Sequence, residues 1–76
     1  MGEGELSIDA DPWAYVTVDG KSYGATPLAH VRLAAGSHRV VLENPEQKAI
    51  RTVPVTIRPD QRTTVRVRLS DGKLSR

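Results

Sequence analysis

The sequence predicts an all-β domain, a small β-sandwich of about seven short, mainly antiparallel strands. Three observations carry this expectation. Aliphatic side chains recur at every second position in one segment after another, the period of a strand with a single buried face. Turn-forming residues (Asp19-Gly20, Gly24, Thr26-Pro27, Gly36, Asn44-Pro45, Pro59-Asp60) interrupt those segments roughly every eight to twelve residues. No segment keeps helical spacing over about ten residues. Each strand therefore offers one apolar face, and two sheets packed face to face bury them all.

Glu5 to Ala10 sets Leu6, Ile8 and Ala10 against Glu5, Ser7 and Asp9 and is the first strand expected. Asp11-Pro12-Trp13 ends it, because proline brings no N–H and restricts the residue before it. Ala14 to Val18 follows, with Val16 and Val18 on one face. Asp19-Gly20 is a hairpin signal, since both residues tolerate positive φ. A two-residue turn there pairs Val18 with Lys21 and Val16 with Tyr23 and leaves a short strand, Lys21 to Tyr23. Gly24, Thr26 and Pro27 mark a loop. Leu28 to Leu33 turns Val31 and Leu33 inward and His30 and Arg32 outward. Ala34-Ala35-Gly36-Ser37 reads as a turn, with Gly36 suited to a left-handed residue. His38 to Glu43 places His38, Val40 and Leu42 on one face and Val41 on the other, so cover on both sides is expected. Asn44 to Gln47 is a turn. Ile50 to Ile57 carries Val53, Val55 and Ile57 on its inner side, and Pro54 marks it as an edge strand or a strand carrying a bulge. Arg58-Pro59-Asp60-Gln61 reads as a hairpin turn with proline at its second position. The last strand, Arg62 to Leu69, holds Val65, Val67 and Leu69 inward. Residues 1–4 read as a linker remnant of a longer protein, 5–69 as the domain, and 70–76 as a flexible tail.

The 76 residues make one small domain. There is no cysteine, which excludes disulfides and thiolate–zinc sites. No apolar run approaches membrane-spanning length, so no direct membrane insertion is expected. The net charge of +2 is small but unevenly spread. Every charge up to Asp19 is acidic, whereas from Lys48 onward the chain is mostly basic. That asymmetry has two readings: an anionic partner, or first and last strands that lie side by side and neutralise each other.

No catalytic constellation is found. The hydroxyls of Ser7, Thr17, Ser22, Thr26 and Ser37 lie outside any nucleophile elbow, and no base is placed to activate one. Asp9, Asp11 and Asp19 lack the ligand spacing of a calcium loop. An enzyme, a cofactor and a metal site are therefore not expected. His38 reads as closing a turn, its ring bonded to a nearby carbonyl; the other reading is a pH-sensitive contact. Trp13 and Tyr15 share parity and project on the outer face, where aromatic residues are enriched at binding hot spots, unless Trp13 folds over the open end of the sandwich. Arg58, Arg62, Arg66 and Arg68 share an outward face of the last hairpin. They read as a solvated surface that discourages edge-to-edge association, or as a contact for an acidic protein surface, a glycan, lipid headgroups or nucleic acid. The lack of aromatic residues beside them makes nucleic acid the weakest of these.

The run Pro12-Trp13-Ala14-Tyr15-Val16-Thr17-Val18-Asp19-Gly20, then Gly24-Ala25-Thr26-Pro27-Leu28, then Leu33-Ala34-Ala35-Gly36-Ser37-His38-Arg39-Val40 resembles the PEGA domain. The likeness extends from Gly4 to about Leu69. One departure stands out: the Pro-Glu-Gly-Ala segment is not intact, and Trp13 fills a gap one residue shorter between Pro12 and Ala14. The resemblance implies an all-β bacterial accessory module that carries no catalytic residues and serves in protein–protein interaction. It further implies attachment to a bacterial serine/threonine protein kinase or cell-envelope protein, with a protein partner or a neighbouring domain of the parent chain as the contact.

Overall fold

A computed structural model describes residues 2–69. Seven strands account for most of it: β1 (Glu3–Asp11), β2 (Tyr15–Val18), β3 (Lys21–Ala25), β4 (Leu28–Ala34), β5 (Gly36–Asn44), β6 (Ala49–Ile57) and β7 (Arg62–Arg68). They form two sheets. One is three-stranded in the order β4-β1-β7; the other is four-stranded in the order β3-β2-β5-β6. All pairings are antiparallel except that of β1 with β7, which is parallel. The all-β sandwich expected from the two-residue rhythm is therefore the fold observed. The expected tail, 70–76, lies outside the described residues.

The inner faces meet in one apolar core. Leu6 and Ile8 of β1, Val31 and Leu33 of β4 and Val67 of β7 come from the first sheet. Val16 and Val18 of β2, Val40 and Leu42 of β5, and Val55 and Ile57 of β6 come from the second. Ala14 and Leu69 lie just outside strands and are buried as well. Burial alternates along the strands, as it must where one face is solvated and the other packed. Pro54 lies on β6 at an edge of its sheet, as expected, where a missing N–H costs no ladder bond.

Several elements differ from the expectation, each for a physical reason. β1 begins at Glu3, ahead of the expected Glu5, and takes in part of the segment read as linker. Its early residues are tied on both sides: Glu3 O accepts from Asp60 N–H at 2.8 Å, and Gly2 O accepts from Ala35 N–H at 2.9 Å. The Asp19-Gly20 turn has positive φ at both residues, 51° and 87°. The ladder beyond it, however, slips by one residue. Thr17 pairs with Ser22, but Val16 pairs with Gly24 instead of Tyr23. Tyr23 is the extra residue of a bulge, partly buried against the core. Gly24, at φ 95°, supplies the left-handed backbone that such a bulge uses. Val41 is half-buried, yet the outer face of β5 has no second layer over it among the described residues.

The largest correction concerns Arg58 to Gln61. The turn itself is present, with Gln61 N–H donating to Arg58 O at 3.2 Å. It does not make a hairpin. β6 and β7 belong to different sheets, and the turn carries the chain from one layer to the other. Ala34 to Ser37 behaves the same way. Ala35 alone separates β4 from β5, which begins at Gly36 with φ 128° and crosses to the second sheet.

The start of β1 sits against this crossover with no room to spare. A Cβ built on Gly4 falls 2.4 Å from Arg58 O and 2.9 Å from Gln61 O, and 2.8 Å from the Ile57 side chain. Two of those obstacles are backbone and cannot swing away. Gly4→Ala is expected to destabilise the domain by about 2 kcal/mol or more. Equilibrium urea unfolding, compared with the control Gly2→Ala, whose Cβ approaches only the Pro59 ring at 3.2 Å or more, measures the difference.

Candidate functional site

The chain from Pro12 to Ala14 is pinned from both sides, and this places the two aromatic rings. Ala14 is fully buried. Its N–H donates to Thr26 Oγ1 at 3.0 Å, and its carbonyl accepts from Thr26 N–H at 2.8 Å. Thr26, in the loop before Pro27, thus ties that loop to the entry of β2. Asn44, almost wholly buried at the end of β5, donates from Nδ2 to Trp13 O at 2.7 Å and accepts from Gln47 N–H at 2.9 Å. A buried amide with both ends satisfied holds a single orientation. Trp13 and Tyr15 then meet edge to face, ring centroids 5.0 Å apart at 88°. Trp13 is half-buried and Tyr15 is 50% exposed.

Strand register extends this pair across the outer face of the second sheet. Tyr15 pairs with Ala25 on one side and Glu43 on the other, and Glu43 pairs with Ile50. Ile50, 67% exposed, is the one other large hydrophobic side chain left open besides Tyr15 among the described residues. The neighbouring row is Ser22, Thr17, Val41 and Thr52. Sequence alternation put Ile50 at a strand end and gave no reason to single it out; only the register brings it into the row of Tyr15.

The outer face of the first sheet is the opposite in character. Parallel pairing sets Glu5 opposite Arg62, Asp9 opposite Arg66 and Asp11 opposite Arg68, while antiparallel pairing sets Glu5 opposite Arg32. Arg32 bonds Glu3 at 3.1 Å, His30 Nδ1 lies 3.0 Å from Glu5 Oε1, Arg62 lies 3.7 Å from the same oxygen, and Arg66 lies 3.8 Å from Asp9. The His30 hydrogen bond, with help from the nearby Arg62 and Arg32 charges, holds the Glu5 carboxyl below its usual range. All these groups are solvated, so each pair contributes little to stability. Of the two readings of the charge asymmetry, the side-by-side one describes this face. Arg62, Arg66 and Arg68 share it. Arg58 stands apart, on the crossover between layers.

His38 locks the corner where β2, β4 and β5 meet. Its Nε2 lies 2.7 Å from Ala34 O and its Nδ1 lies 2.5 Å from Asp19 Oδ2. Asp19 Oδ1 accepts Arg39 N–H at 2.9 Å, and Asp19 N–H donates to Arg39 O at the same distance. Both His38 nitrogens face acceptors, an arrangement that favours the imidazolium, the form that donates from both. His30, by contrast, is exposed on the other sheet at φ 61°, in a bulge of β4 opposite Ser7. Among the described residues no three His, Asp or Glu side chains gather as a metal set.

A family model for the PEGA domain matches residues 3–73. The chain belongs to the PEGA domain family. No curated protein and no solved structure matches it. In this PEGA domain the shortened Pro12-Trp13-Ala14 segment carries an indole that sits on Tyr15. The start of β5, through Gly36 and Ser37, delivers His38 to the Asp19 carboxylate across the sheet.

The His38 lock has a pH signature. The Ala34 carbonyl, then the Asp19 hydrogen bond and charge, raise the His38 pKa above its ordinary 6.5. The Arg39 N–H, then His38, lower the Asp19 carboxyl. The histidine contribution is complete below about pH 6.5 and is lost as pH rises through the raised value; the Asp19 contribution is lost only in acid. The melting temperature is therefore expected to fall as pH rises from about 6.5 into the alkaline range. In His38→Gln that fall should flatten, while His30→Gln should retain it; differential scanning calorimetry against pH reads both.

Proposed function

We propose that this PEGA domain is a non-catalytic module that holds a protein partner, or a neighbouring domain of its parent chain, against the outer face of the four-stranded sheet. The observation that carries the reading is the clamped Trp13–Tyr15 pair standing in register with Ile50. A backbone already pinned by Thr26 and Asn44, with the two rings packed edge to face, has less freedom to lose on contact, so more of the buried area becomes affinity. The neighbouring row, Thr17, Val41 and Thr52, is uncharged, and Glu43 is the one charge between Tyr15 and Ile50. Membership of a family of small accessory domains supports the same reading. The parent protein we propose is a bacterial serine/threonine kinase or a cell-envelope protein, as the kinase-appended and surface-protein likeness of the sequence implies.

The arginine-rich face is less well supported as a general anion site, because β1 carboxylates stand opposite Arg62, Arg66 and Arg68. Retention on heparin is expected to be lost by about 0.15 M salt; firm retention above that would favour a glycan or headgroup ligand instead.

Trp13→Ala with Tyr15→Ala should leave the circular dichroism of the sandwich unchanged and reduce partner capture from the host extract by about tenfold or more. Ile50→Ser alone should weaken the same capture, whereas Arg62→Gln with Arg66→Gln should not. Undiminished capture by the aromatic double variant would sink the reading.

A further inference from the structure

The two sheets have four terminal strands, and three of them are blunted. β3 is short and bulged, with Gly24 at φ 95°. β4 is bulged opposite β1, with His30 at φ 61°. β6 carries Pro54. These are the devices by which natural sheets refuse an added strand. β7 has no bulge, glycine or proline, and no described strand lies on its outer side; its arginines are the one device it carries, and they repel basic strands alone. Its residues from Arg62 to Arg68 pair with Glu5 to Asp11 with no shift of register.

The direction of its open backbone groups follows from two bonds. Gln61 O accepts from Glu5 N–H, and Leu69 N–H donates to Asp11 O. A strand residue sends its N–H and C=O to one side, and the side alternates along the chain. The odd-numbered residues thus face β1, and Arg62, Thr64 and Arg66 aim their backbone groups at the open side. Their side chains lie on the solvated face, while Val65 points inward and is only half-buried.

Charge selects what fits there. Across this face the rows run basic on β4, acidic on β1 and basic on β7, as in Arg32, Glu5 and Arg62. A second β7 would set arginine against arginine, which is destabilising. A strand with carboxylates on its outer face and aliphatic side chains on its inner face continues the alternation and covers Val65. We propose that β7 is a docking strand that takes an extended acidic segment of a partner protein, added as a fourth strand to the first sheet with its carboxylates beside Arg62 and Arg66. This site is separate from the aromatic face and stands or falls independently of it.

The test uses the 76-residue chain and a short synthetic peptide alternating Asp and Val, with blocked ends. A peptide of the same composition, with the Asp residues in one block, is the control. Titration followed by amide hydrogen exchange should show new protection at Arg62, Thr64 and Arg66, and about tenfold weaker binding of the block peptide. Thr64→Pro removes an open-side N–H and leaves the β1 ladder intact, so it should fold and bind about tenfold more weakly, while Thr64→Val binds as the parent does. Arg66→Gln should weaken binding and reduce its salt dependence. Should Thr64→Pro not fold, the exchange pattern and Arg66→Gln decide. The proposal is overturned if the alternating peptide does not bind, if it binds without protecting those amides, if folded Thr64→Pro binds as tightly as the parent, or if heparin competes with equal avidity through plain charge.

Discussion

The pairing of β1 with its two neighbours is the constraint on which the rest depends. Among the described residues, β1 is the strand of the first sheet flanked on both sides, by β4 and by β7. Its inward Leu6 and Ile8 are essentially inaccessible and make the floor of the core. Its outward acids meet basic residues on both flanks. β7 is reached only after the whole second sheet has been traversed, so this contact closes the longest loop in the molecule. The ordering entropy of that closure is recovered from side chains that β1 alone brings together. The narrow approach at Gly4, between Arg58 and Gln61 backbone, is the geometric expression of the same closure.

From this arrangement the two solvent faces acquire different characters. The three-stranded sheet shows water a ladder of opposite charges, each strongly hydrated and each weakly coupled to its neighbour. The four-stranded sheet shows water hydroxyls, aliphatic side chains and two aromatic rings, with Arg39 and Glu43 as its charges on β5. Removing the second kind of surface from solvent costs less, which is why the domain is expected to adhere through it. The polar groups that support the rings, Thr26 and Asn44, lie inside the fold and spend their hydrogen bonds on backbone. The backbone beneath the aromatic pair is thereby held by the core and not by other surface residues.

Much of this was legible in the residues. Alternation located all seven strands and their buried faces, because a period of two leaves little freedom once a sheet has one wet side. Pro54 announced an edge, and Asp19-Gly20 announced its turn. The place of His38 beside a turn suggested a neighbouring carbonyl for its ring but gave no sign of Asp19, the partner it meets across the sheet. What escaped is what local chemistry does not encode. A proline turn such as Arg58 to Gln61 folds in the same way whether its flanking strands pair or diverge into two layers, so a hairpin was the wrong inference. The bulge at Tyr23 shifts a register that any two-residue turn would otherwise dictate. Gly4 reads as linker until the backbone it must pass is in place. Asn44 looks like an ordinary turn residue, and Ile50 like a strand end. Each gains its role from contacts distant in sequence. The family likeness carried the overall plan, but it did not carry the aromatic row, since Trp13 occupies the position where the likeness lapses.

The parallel match of β1 and β7 also has a mechanical meaning. Because the two strands run the same way, the start of β1 and the end of β7 lie at opposite poles of the sandwich. Traction applied there drags the strands past one another along their length. Every rung of the ladder then shares the load at once, where an antiparallel pair pulled from one end would open rung by rung. A domain wired in this manner passes tension straight through itself, in line with whatever is attached at either pole.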